Sequence, residues 1–167
     1  GISIEVPGAG QAIATMKVRD DMINGFDVIH GGLTFALADT ACAFACNTYN
    51  QVTVAQHCSI TYIAPGASGD QLIATAREVS RRGRSGIYDV HIARADGTLI
   101  AEFRGHSRSL GVAAHGNPLR TGKVAIQPST ALGQRLLVRE QGPDTRQVLH
   151  RTHQVMVDTQ GHLAGYL

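Results

Sequence analysis

The chain has 167 residues, of which 43% are apolar and 17% are charged, and its formal net charge is +2. This length fits one ordinary domain with its own core, and the apolar fraction excludes a disordered chain. The balance of 15 basic and 13 acidic residues argues against a general nucleic-acid or membrane-surface binder, and no run of about 20 apolar residues spans a bilayer.

Charge and cysteine are unevenly placed along the chain. Residues 1–111 carry nine Lys or Arg and ten Asp or Glu, whereas residues 112–167 carry six and three. The three cysteines lie in apolar or alternating segments, which predicts reduced thiols and a cytoplasmic location. Because the chain begins at Gly1 rather than Met, we expect a processed, trimmed or partial sequence. We predict a domain over residues 1–111 and a C-terminal extension of unknown order over residues 112–167.

The first half of the predicted domain contains two strands and one helix. Ile2–Val6 and Gln11–Val18 predict two short strands or one bent strand, and residues 19–29 predict a loop with a turn at Asn24-Gly25. From Gly31 to Tyr49 there is no proline, and the segment predicts a helix about 28 Å long. This helix is apolar nearly all round, so we expect it to be buried.

The second half reads as a four-strand meander. Val52–Ile63 alternates with period two and predicts a strand whose even-numbered residues, from Val52 to Tyr62, share one face. Three further strands follow, joined by glycine-containing turns: Gln71–Ser80, Ile87–Arg94 and Thr98–Ser109. An all-apolar helix must be covered, so the order predicts an α+β fold in which an antiparallel sheet wraps one long helix.

Neither a nucleotide-binding βαβ pattern nor a glycine-rich phosphate loop is present in the sequence. Beyond Gly111, residues 112–128 show no clear period. Ala131–Glu140 predicts at best a short helix, and Val148–Asp158 predicts a strand.

One carboxylate stands out. Asp39 is the only Asp, Glu, Lys or Arg between Asp27 and Asp70, and it lies near the middle of the predicted helix. A buried, unpaired carboxylate costs several kcal/mol or has a raised pKa. One interpretation is a carboxylate satisfied by a neighbouring donor, and the favoured one is a general base or nucleophile at a site that opens onto the helix.

The start of the helix supplies a complementary group. His30-Gly31-Gly32 precedes it, so the N–H groups of Gly31 and Gly32 are among the unpaired first-turn donors, which can hold a developing oxyanion. Gly31 and Asp39 are eight residues apart, or about 12 Å along one helix. A site shared across a two-fold dimer would bring the donor of one chain to the carboxylate of the other.

These residues closely resemble the hotdog-fold acyl-CoA thioesterases of the phenylacetic-acid-degradation (PaaI-type) family. Across residues 1–111 the resemblance rests on Asn24-Gly25, His30-Gly31-Gly32, the segments 37–41 and 44–47, and the later segments 59–66, 69–70, 86–90 and 103–105. It implies a helix held by an antiparallel sheet, a homodimer or homotetramer with sites at the dimer interface, and hydrolysis of an acyl-CoA thioester without metal or cofactor.

The same resemblance implies roles for individual residues. Asp39 matches the catalytic carboxylate, Gly31 the glycine whose N–H binds the thioester carbonyl oxygen, and Asn24 a polar residue that places substrate or water. Thr40 and Asn47 match assisting positions. The chain departs from the family in lacking a helix before the first strand and in carrying 56 residues after residue 111.

Several other residues are candidates for a catalytic, metal-binding or substrate-binding role. His30 is interpreted as a positioning residue, since a helix N-terminus disfavours its protonation. Cys42, Cys46 and the pair His57-Cys58 fit no paired zinc motif, so packing thiols are favoured. The turn with Arg82 and Arg84 is either solvated or a contact for the coenzyme A phosphates.

The leading functional prediction is a cytoplasmic acyl-CoA thioesterase that prefers an aryl or medium-length acyl group, such as phenylacetyl-CoA, with Gly32 and His30 beside the substrate. The alternative is a non-catalytic hotdog domain that binds and senses acyl-CoA. A dehydratase of the same fold ranks lower, because those enzymes place a catalytic His by another signature.

Overall fold

The computed structural model describes residues 1–114 in full and, beyond them, the backbone of strands at residues 123–127, 137–140, 155–157 and 163–166. Within residues 1–114 the structure has one α-helix, α1, at Gly31–Cys46. The six strands of this part are β1 (Ile2–Glu5), β2 (Gln11–Lys17), β3 (Gln51–Tyr62), β4 (Gln71–Arg82), β5 (Ser85–Arg94) and β6 (Leu99–Ala113).

These six strands form one antiparallel sheet in the order β3-β6-β5-β4-β2-β1. The buried residues of α1 and of β1, β2, β4, β5 and β6 form one apolar core, in which Leu37, Leu72, Val90 and Ile92 are fully buried. The sheet therefore covers the helix with a single layer. The predicted α+β fold is confirmed, and it is the hotdog arrangement that the resemblance implies.

Helix α1 is covered on one side and partly open on the other. Leu37, Ala38, Ala41 and Ala45 are fully buried. A stripe at helical spacing is half-buried or exposed; its members are Gly32, Ala36, Asp39, Thr40 and Ala43. The expectation of a helix buried all round is therefore wrong for a single chain, because the sheet reaches only one side. The helix also ends at Cys46, three residues before the predicted Tyr49.

Strand β3 forms one edge of the sheet and has a bulge that the sequence period does not reveal. Ala55 lies opposite Ser107 on β6, but His57 lies opposite His106, so one extra residue is inserted between them. The bulge turns Val54 to the outer face, where it is 44% exposed. The prediction that all even-numbered residues share one face is wrong for Val54 and holds from Cys58 to Tyr62.

The loop before α1 is closed by backbone hydrogen bonds. A 3-10 turn spans Asp20–Met22, and an isolated bridge pairs Ile23 with Ile29. The N–H of His30 donates to the carbonyl oxygen of Met22 at 2.9 Å. These bonds bring Ile29 and His30 back beside Met22 and Ile23, so residues 24–28 form a tight loop directly before the helix.

The remaining strands are β7 (Lys123–Gln127), β8 (Leu137–Glu140), β9 (Val155–Val157) and β10 (Leu163–Tyr166). β7 pairs antiparallel with β1, and β8 pairs with β7, while β9 and β10 pair with each other.

The last third of the chain differs from its sequence-based prediction in two respects. The helix predicted over residues 131–140 is wrong at its end, where residues 137–140 pair as strand β8; residues 131–136 lie outside the described residues. The strand predicted over residues 148–158 is present at 155–157, and its other residues lie outside the described part. The predicted domain boundary at residue 111 falls within β6. No helix in the described parts of the chain is long and apolar enough to cross a membrane.

Candidate active site

The first turn of α1 is capped by the side chain of His30. Its Nδ1 accepts a hydrogen bond from the N–H of Gly32 at 3.0 Å, and the ring is exposed. A backbone N–H only donates, so Nδ1 carries no proton and the neutral ring holds its proton on Nε2. His30 thus serves as the N-cap and presents an Nε2–H donor on its other side.

The N–H groups of the two glycines at the start of α1 differ in their bonding. The N–H of Gly31 makes no hydrogen bond to any residue that the structure describes, whereas the N–H of Gly32 donates to His30. Both glycines are predicted oxyanion donors; the Gly32 N–H is already bonded, and the role of Gly31 stays a prediction. The position admits no side chain easily, because a Cβ on Gly31 would lie 3.1 Å from the Tyr62 ring.

Asn24 is the first residue of the tight loop, residues 24–28, that precedes the helix. Its Oδ1 accepts from the N–H of Phe26 at 2.9 Å, and its own N–H donates to the carbonyl oxygen of Val28 at 2.8 Å. The side-chain NH₂ of Asn24 is therefore the group that remains to donate to a substrate or water. The bridge between Ile23 and Ile29 closes the loop that carries Asn24 directly before α1.

Asp39 lies two turns further along the helix, on its partly open stripe, and is half-buried. The Sγ of Cys58 on β3 is 4.0 Å from Asp39 Oδ1. Burial, and secondly the negative charge of Asp39, raise the pKa of Cys58 to about 11. Cys58 is therefore a neutral thiol beside the carboxylate and points its weak donor toward it.

The predicted residues form two groups within one chain. His30 and Gly31 lie at the N-terminus of α1, Asn24 lies in the loop that the Ile23–Ile29 bridge closes before it, and Asp39 is about 12 Å along the helix axis from Gly31. Strand β3 runs past both groups, since Tyr62 contacts Gly31 and Cys58 contacts Asp39.

Thr40 and Asn47 make their hydrogen bonds within the fold. Thr40 Oγ1 donates to the carbonyl oxygen of Ala36 at 2.7 Å. The amide of Asn47 donates to the carbonyl oxygens of Ala43 and Thr53, each at 2.9 Å, and accepts from the N–H of Thr53 at 3.0 Å. Asn47 therefore joins the end of α1 to the start of β3, and its role in substrate binding stays a prediction.

The arginine-rich turn between β4 and β5 lies at the C-terminal end of α1. A small cleft lies between the turn and the end of the helix and is lined by Cys46, Tyr49 and Arg84 among others. Arg84 Nε donates to the carbonyl oxygen of Ser109 at 2.8 Å, while Arg82 is exposed. Arg84 is thereby held at the mouth of the cleft, and the expectation that both bind phosphate stays a prediction.

The cysteines near the site are packed thiols. Cys42 and Cys46 are buried, Cys58 is half-buried, and all three are free. Among the described residues, no three His, Cys, Asp or Glu side chains lie close enough together to hold a metal ion. Cys42 packs against β6, where a Cβ on Gly105 would lie 2.5 Å from its sulfur.

Sequence reasoning missed two residues that touch the candidate site. Tyr62 Oη donates to the carbonyl oxygen of Gly31 at 2.8 Å, and Cys58 lies against Asp39. Both belong to the face of β3 that was predicted to be shared by alternate residues. That alternation indicates which residues of β3 face the helix that carries Asp39. It does not reveal which of them lies beside which turn of the helix.

Comparison with known proteins gives a consistent set of relatives. Residues 26–101 match the thioesterase superfamily. The acyl-coenzyme A thioesterase PaaI of Escherichia coli K12 is 41% identical over 111 residues, which cover 66% of this chain and 79% of that protein. The human acyl-coenzyme A thioesterase 13 is 30% identical over 113 residues, which cover 66% of this chain and 80% of that one.

Solved structures agree with these sequence matches. The structure of the E. coli PaaI protein superposes with a TM-score of 0.66 and covers 68% of this chain and 82% of that one. A Streptococcus mutans protein bound to acetyl-CoA is 22% identical with a TM-score of 0.61, covering 68% of this chain and 91% of that one, and shows the shared fold.

Proposed function

The chain belongs to the thioesterase superfamily, and we propose that it hydrolyses acyl-CoA thioesters carrying an aryl or medium-length acyl group, such as phenylacetyl-CoA. The observation that carries this proposal is the presence of two groups on one helix: the half-buried Asp39 carboxylate and the Gly31 N–H, which has no hydrogen-bond partner in the described part of the chain. Thioester hydrolysis needs a group that activates or replaces water and a donor for the carbonyl oxygen.

The chemistry follows from these two groups. The Gly31 N–H, at the positive end of the helix dipole, binds the thioester carbonyl oxygen and stabilises the negative charge that develops there. Asp39 either removes a proton from the attacking water or attacks the carbonyl carbon itself. In both cases the C–S bond breaks, and coenzyme A leaves as a thiolate that takes up a proton. Attack by water gives the free acid directly, whereas attack by Asp39 leaves the acyl group on the carboxylate as a mixed anhydride, which water then hydrolyses to the free acid and Asp39. The NH₂ of Asn24 and the Nε2–H of His30 place the substrate.

Two copies of the chain form each site in this proposal. A single helix holds Gly31 and Asp39 about 12 Å apart, too far for both to reach one carbonyl group. The sheet offers one edge for a second copy, since β1 is paired with β7 whereas the outer edge of β3 pairs with nothing in the described residues. Antiparallel pairing of two β3 strands about a two-fold axis would join the sheets and bring the open stripes of the helices together.

The contacts of β3 with α1 support one register for this pairing. Tyr62 marks the level of Gly31 and Cys58 marks the level of Asp39. The step of four positions from Cys58 to Tyr62 spans about 13 Å of strand, which matches about 12 Å for the step of eight positions from Gly31 to Asp39 along the helix. If the two-fold axis passes through Ile60, Cys58 lies opposite the Tyr62 of the second copy, and Asp39 reaches the level of the second copy's Gly31.

An engineered disulfide tests the register. In Tyr62→Cys the new thiol is expected to lie opposite Cys58 of the second copy, within the Cα separation of about 4.4–6.8 Å that a disulfide requires. Mild oxidation should give a covalent dimer on a non-reducing gel. Thr61→Cys is the matched control, because its opposite residue is Ser59. Cross-linking of the control alone would shift the axis, and cross-linking of neither would overturn pairing through β3.

The catalytic assignment is tested by Asp39→Asn. We expect kcat to fall by about a hundredfold or more with little change in KM, since the amide can neither accept a proton nor attack. Asp21→Asn is the control, because Asp21 is an exposed carboxylate that pairs with Arg19 on the surface. Near-normal turnover of several acyl-CoAs by Asp39→Asn would overturn the mechanism. Label recovered in Asp39 after a single turnover in isotopically labelled water would identify attack by the carboxylate.

The remaining features of the proposal each have a direct measurement. A panel of aryl, aliphatic and carrier-protein thioesters identifies the acyl group. We propose a reaction without metal or cofactor, so prolonged dialysis against a chelator should leave kcat unchanged. We also propose a cytoplasmic enzyme that assembles as a dimer or as a tetramer of two dimers, which light scattering on the full chain distinguishes.

A further inference from the structure

The C-terminal end of β3 packs onto the first turn of α1 through one side chain. Tyr62 Oη donates to the carbonyl oxygen of Gly31 at 2.8 Å. The phenol ring also lies over Gly31, because a Cβ on that glycine would be 3.1 Å from Cζ and 3.1 Å from Oη. Tyr62 therefore contacts the turn in two ways, by a hydrogen bond and by the end of its ring.

The peptide unit between Gly31 and Gly32 is held at both of its polar ends. Its carbonyl oxygen accepts from Tyr62, and its N–H donates to Nδ1 of His30 at 3.0 Å. A peptide unit is planar, so two bonds from different elements fix its orientation. Two consecutive glycines are otherwise the most permissive backbone in a chain, and a helix start built on them needs such restraint.

The restraint has a consequence for the reaction. The Gly31 N–H belongs to the neighbouring peptide unit, and its direction depends on the conformation of Gly31 that the held peptide unit fixes. A donor for a developing oxyanion is effective because its direction is set before the reaction, and small misplacements cost much of the rate.

We propose that Tyr62 is a positioning residue for thioester hydrolysis: together with His30 it holds the peptide unit of Gly31 and Gly32 so that the Gly31 N–H stays directed at the substrate carbonyl oxygen. This inference rests on the proposed role of Gly31. Burial raises the pKa of Tyr62, so its hydroxyl stays protonated and remains a donor throughout the neutral and mildly alkaline range.

Tyr62→Phe is the direct test, because it keeps the ring over Gly31 and removes only the hydroxyl. We expect kcat to fall by about tenfold, less than the loss expected for removal of an oxyanion donor itself, and KM to rise severalfold because the ground-state carbonyl is held less well too. Thr61→Val is the matched control: it removes a hydroxyl from the adjacent exposed residue of β3, and its kcat should equal that of the wild type.

A binding measurement separates positioning from a general structural effect. A ketone analogue of the acyl-CoA, in which CH₂ replaces the thioester sulfur, presents the carbonyl oxygen but is not cleaved. Its Kd should rise severalfold in Tyr62→Phe, while the Kd of coenzyme A, which has no acyl carbonyl group at that position, should not change. Thermal unfolding and dimer mass should match the wild type.

The outcomes distinguish this inference from the function on which it rests. If Tyr62→Phe keeps full kcat while Asp39→Asn has lost it, Tyr62 is not a positioning residue and the proposed function stands. If neither variant loses kcat, the proposed function fails. If Tyr62→Phe loses kcat only together with thermal stability or dimer mass, or weakens coenzyme A and the ketone equally, the positioning role is overturned.

Discussion

At its N-terminal end, helix α1 begins with two glycines and the Gly31 N–H has no hydrogen-bond partner among the described residues, whereas the residues at its C-terminal end bond within the fold. Asn47 binds Ala43 and both polar backbone atoms of Thr53. Thr48 Oγ1 donates to the carbonyl oxygen of Ala45 and accepts from the N–H of Gly10, each at 2.8 Å. The C-terminal end of the helix is therefore hydrogen-bonded to the neighbouring backbone, whereas its N-terminal end has a backbone donor that is unbonded among the described residues.

Because the two ends differ in this way, we expect polar residues of the same type to have different roles at each end. Asn24 and Asn47 are both half-buried asparagines. The Asn24 side chain accepts one hydrogen bond, from the N–H of Phe26, and its NH₂ group has no partner among the described residues. Because the Asn47 amide is already bonded on both sides, we expect it to act in the fold and Asn24 to act in the site.

The largest expected effect comes from Gly31→Ala. The new Cβ would lie 3.1 Å from the Tyr62 ring, so the ring or the turn must move and the direction of the Gly31 N–H changes. We expect kcat to fall by about a hundredfold. The free energy of unfolding should change by less than about 1 kcal/mol, since Ala favours the helix over Gly. Steady-state kinetics and urea unfolding measure the two effects.

Gly97→Ala is the control for this substitution. Gly97 has φ +88° and open space around its Cα, so Ala there strains the backbone without touching a neighbour. It should lower the free energy of unfolding by about 1 kcal/mol and leave kcat unchanged. A Gly31→Ala enzyme with normal kcat would mean that this end of the helix does not bind the carbonyl oxygen.

Asn47→Ala should give the opposite result at the other end. Three hydrogen bonds to backbone atoms are lost, at about 1 kcal/mol each, so we expect the free energy of unfolding to fall by about 2–3 kcal/mol. The kcat of the folded enzyme should stay within about twofold of the wild type, since the side chain bonds only within the fold. Urea unfolding and kinetics below the unfolding transition give both numbers.

Asn24→Ala is the matched substitution. It removes one side-chain bond of an exposed turn, so its stability should change little while its kcat or KM worsens. If instead Asn47→Ala lowered kcat at unchanged stability, the C-terminal end would belong to the substrate site and the distinction between the two ends would be wrong.

A smaller effect concerns the thiol of Cys46, in the last turn of α1. Burial, and secondly the charge of Asp39, raise its pKa to about 12 from an ordinary value of 9.0. Above pH 9 the thiol ionises in the unfolded chain but stays protonated in the folded one, so folding loses stability as the pH rises. The loss from this thiol amounts to about 1 kcal/mol between pH 9 and pH 10.

Cys46→Ala removes this contribution. The stability difference between the wild type and the variant should therefore narrow by about 1 kcal/mol over that pH unit, measured by urea unfolding at both values. Parallel curves would show that the thiol is open to solvent at this end of the helix.

The start of α1 and the candidate carboxylate follow from the sequence, because both depend on local features. His30 before two glycines, an apolar run without proline and a single charge within it are visible without a structure. The contact of Tyr62 with Gly31 joins residues 31 positions apart and depends on how β3 lies against α1. A period of two shows which residues of a strand share a face, but not which turn of the helix each one meets, and it does not reveal the bulge between Ala55 and His57.

Helix α1 ends at Cys46, three residues before the predicted end at Tyr49, and the reason is again a contact with strand β3. Tyr49 and its neighbours have helical composition, but the Asn47 side chain captures the backbone of Thr53 and turns the chain into β3. The choice between helix and turn there depends on tertiary partners, which local propensity does not contain.

The smallest expected effect lies at the turn between β4 and β5, beside the C-terminal end of the helix. If Arg82 contacts a coenzyme A phosphate, Arg82→Gln should raise KM for acyl-CoA about threefold, or about 0.7 kcal/mol, because an exposed guanidinium in water gives a weak contact. The same acyl group on pantetheine, which lacks the phosphates, should show no change. Arg77→Gln, at another exposed arginine of β4, is the control. An equal rise in KM for both thioesters would mean that Arg82 acts on the fold. A rise in KM for acyl-CoA alone would show that the C-terminal end of the helix, although bonded within the fold, lies beside the phosphates of the substrate.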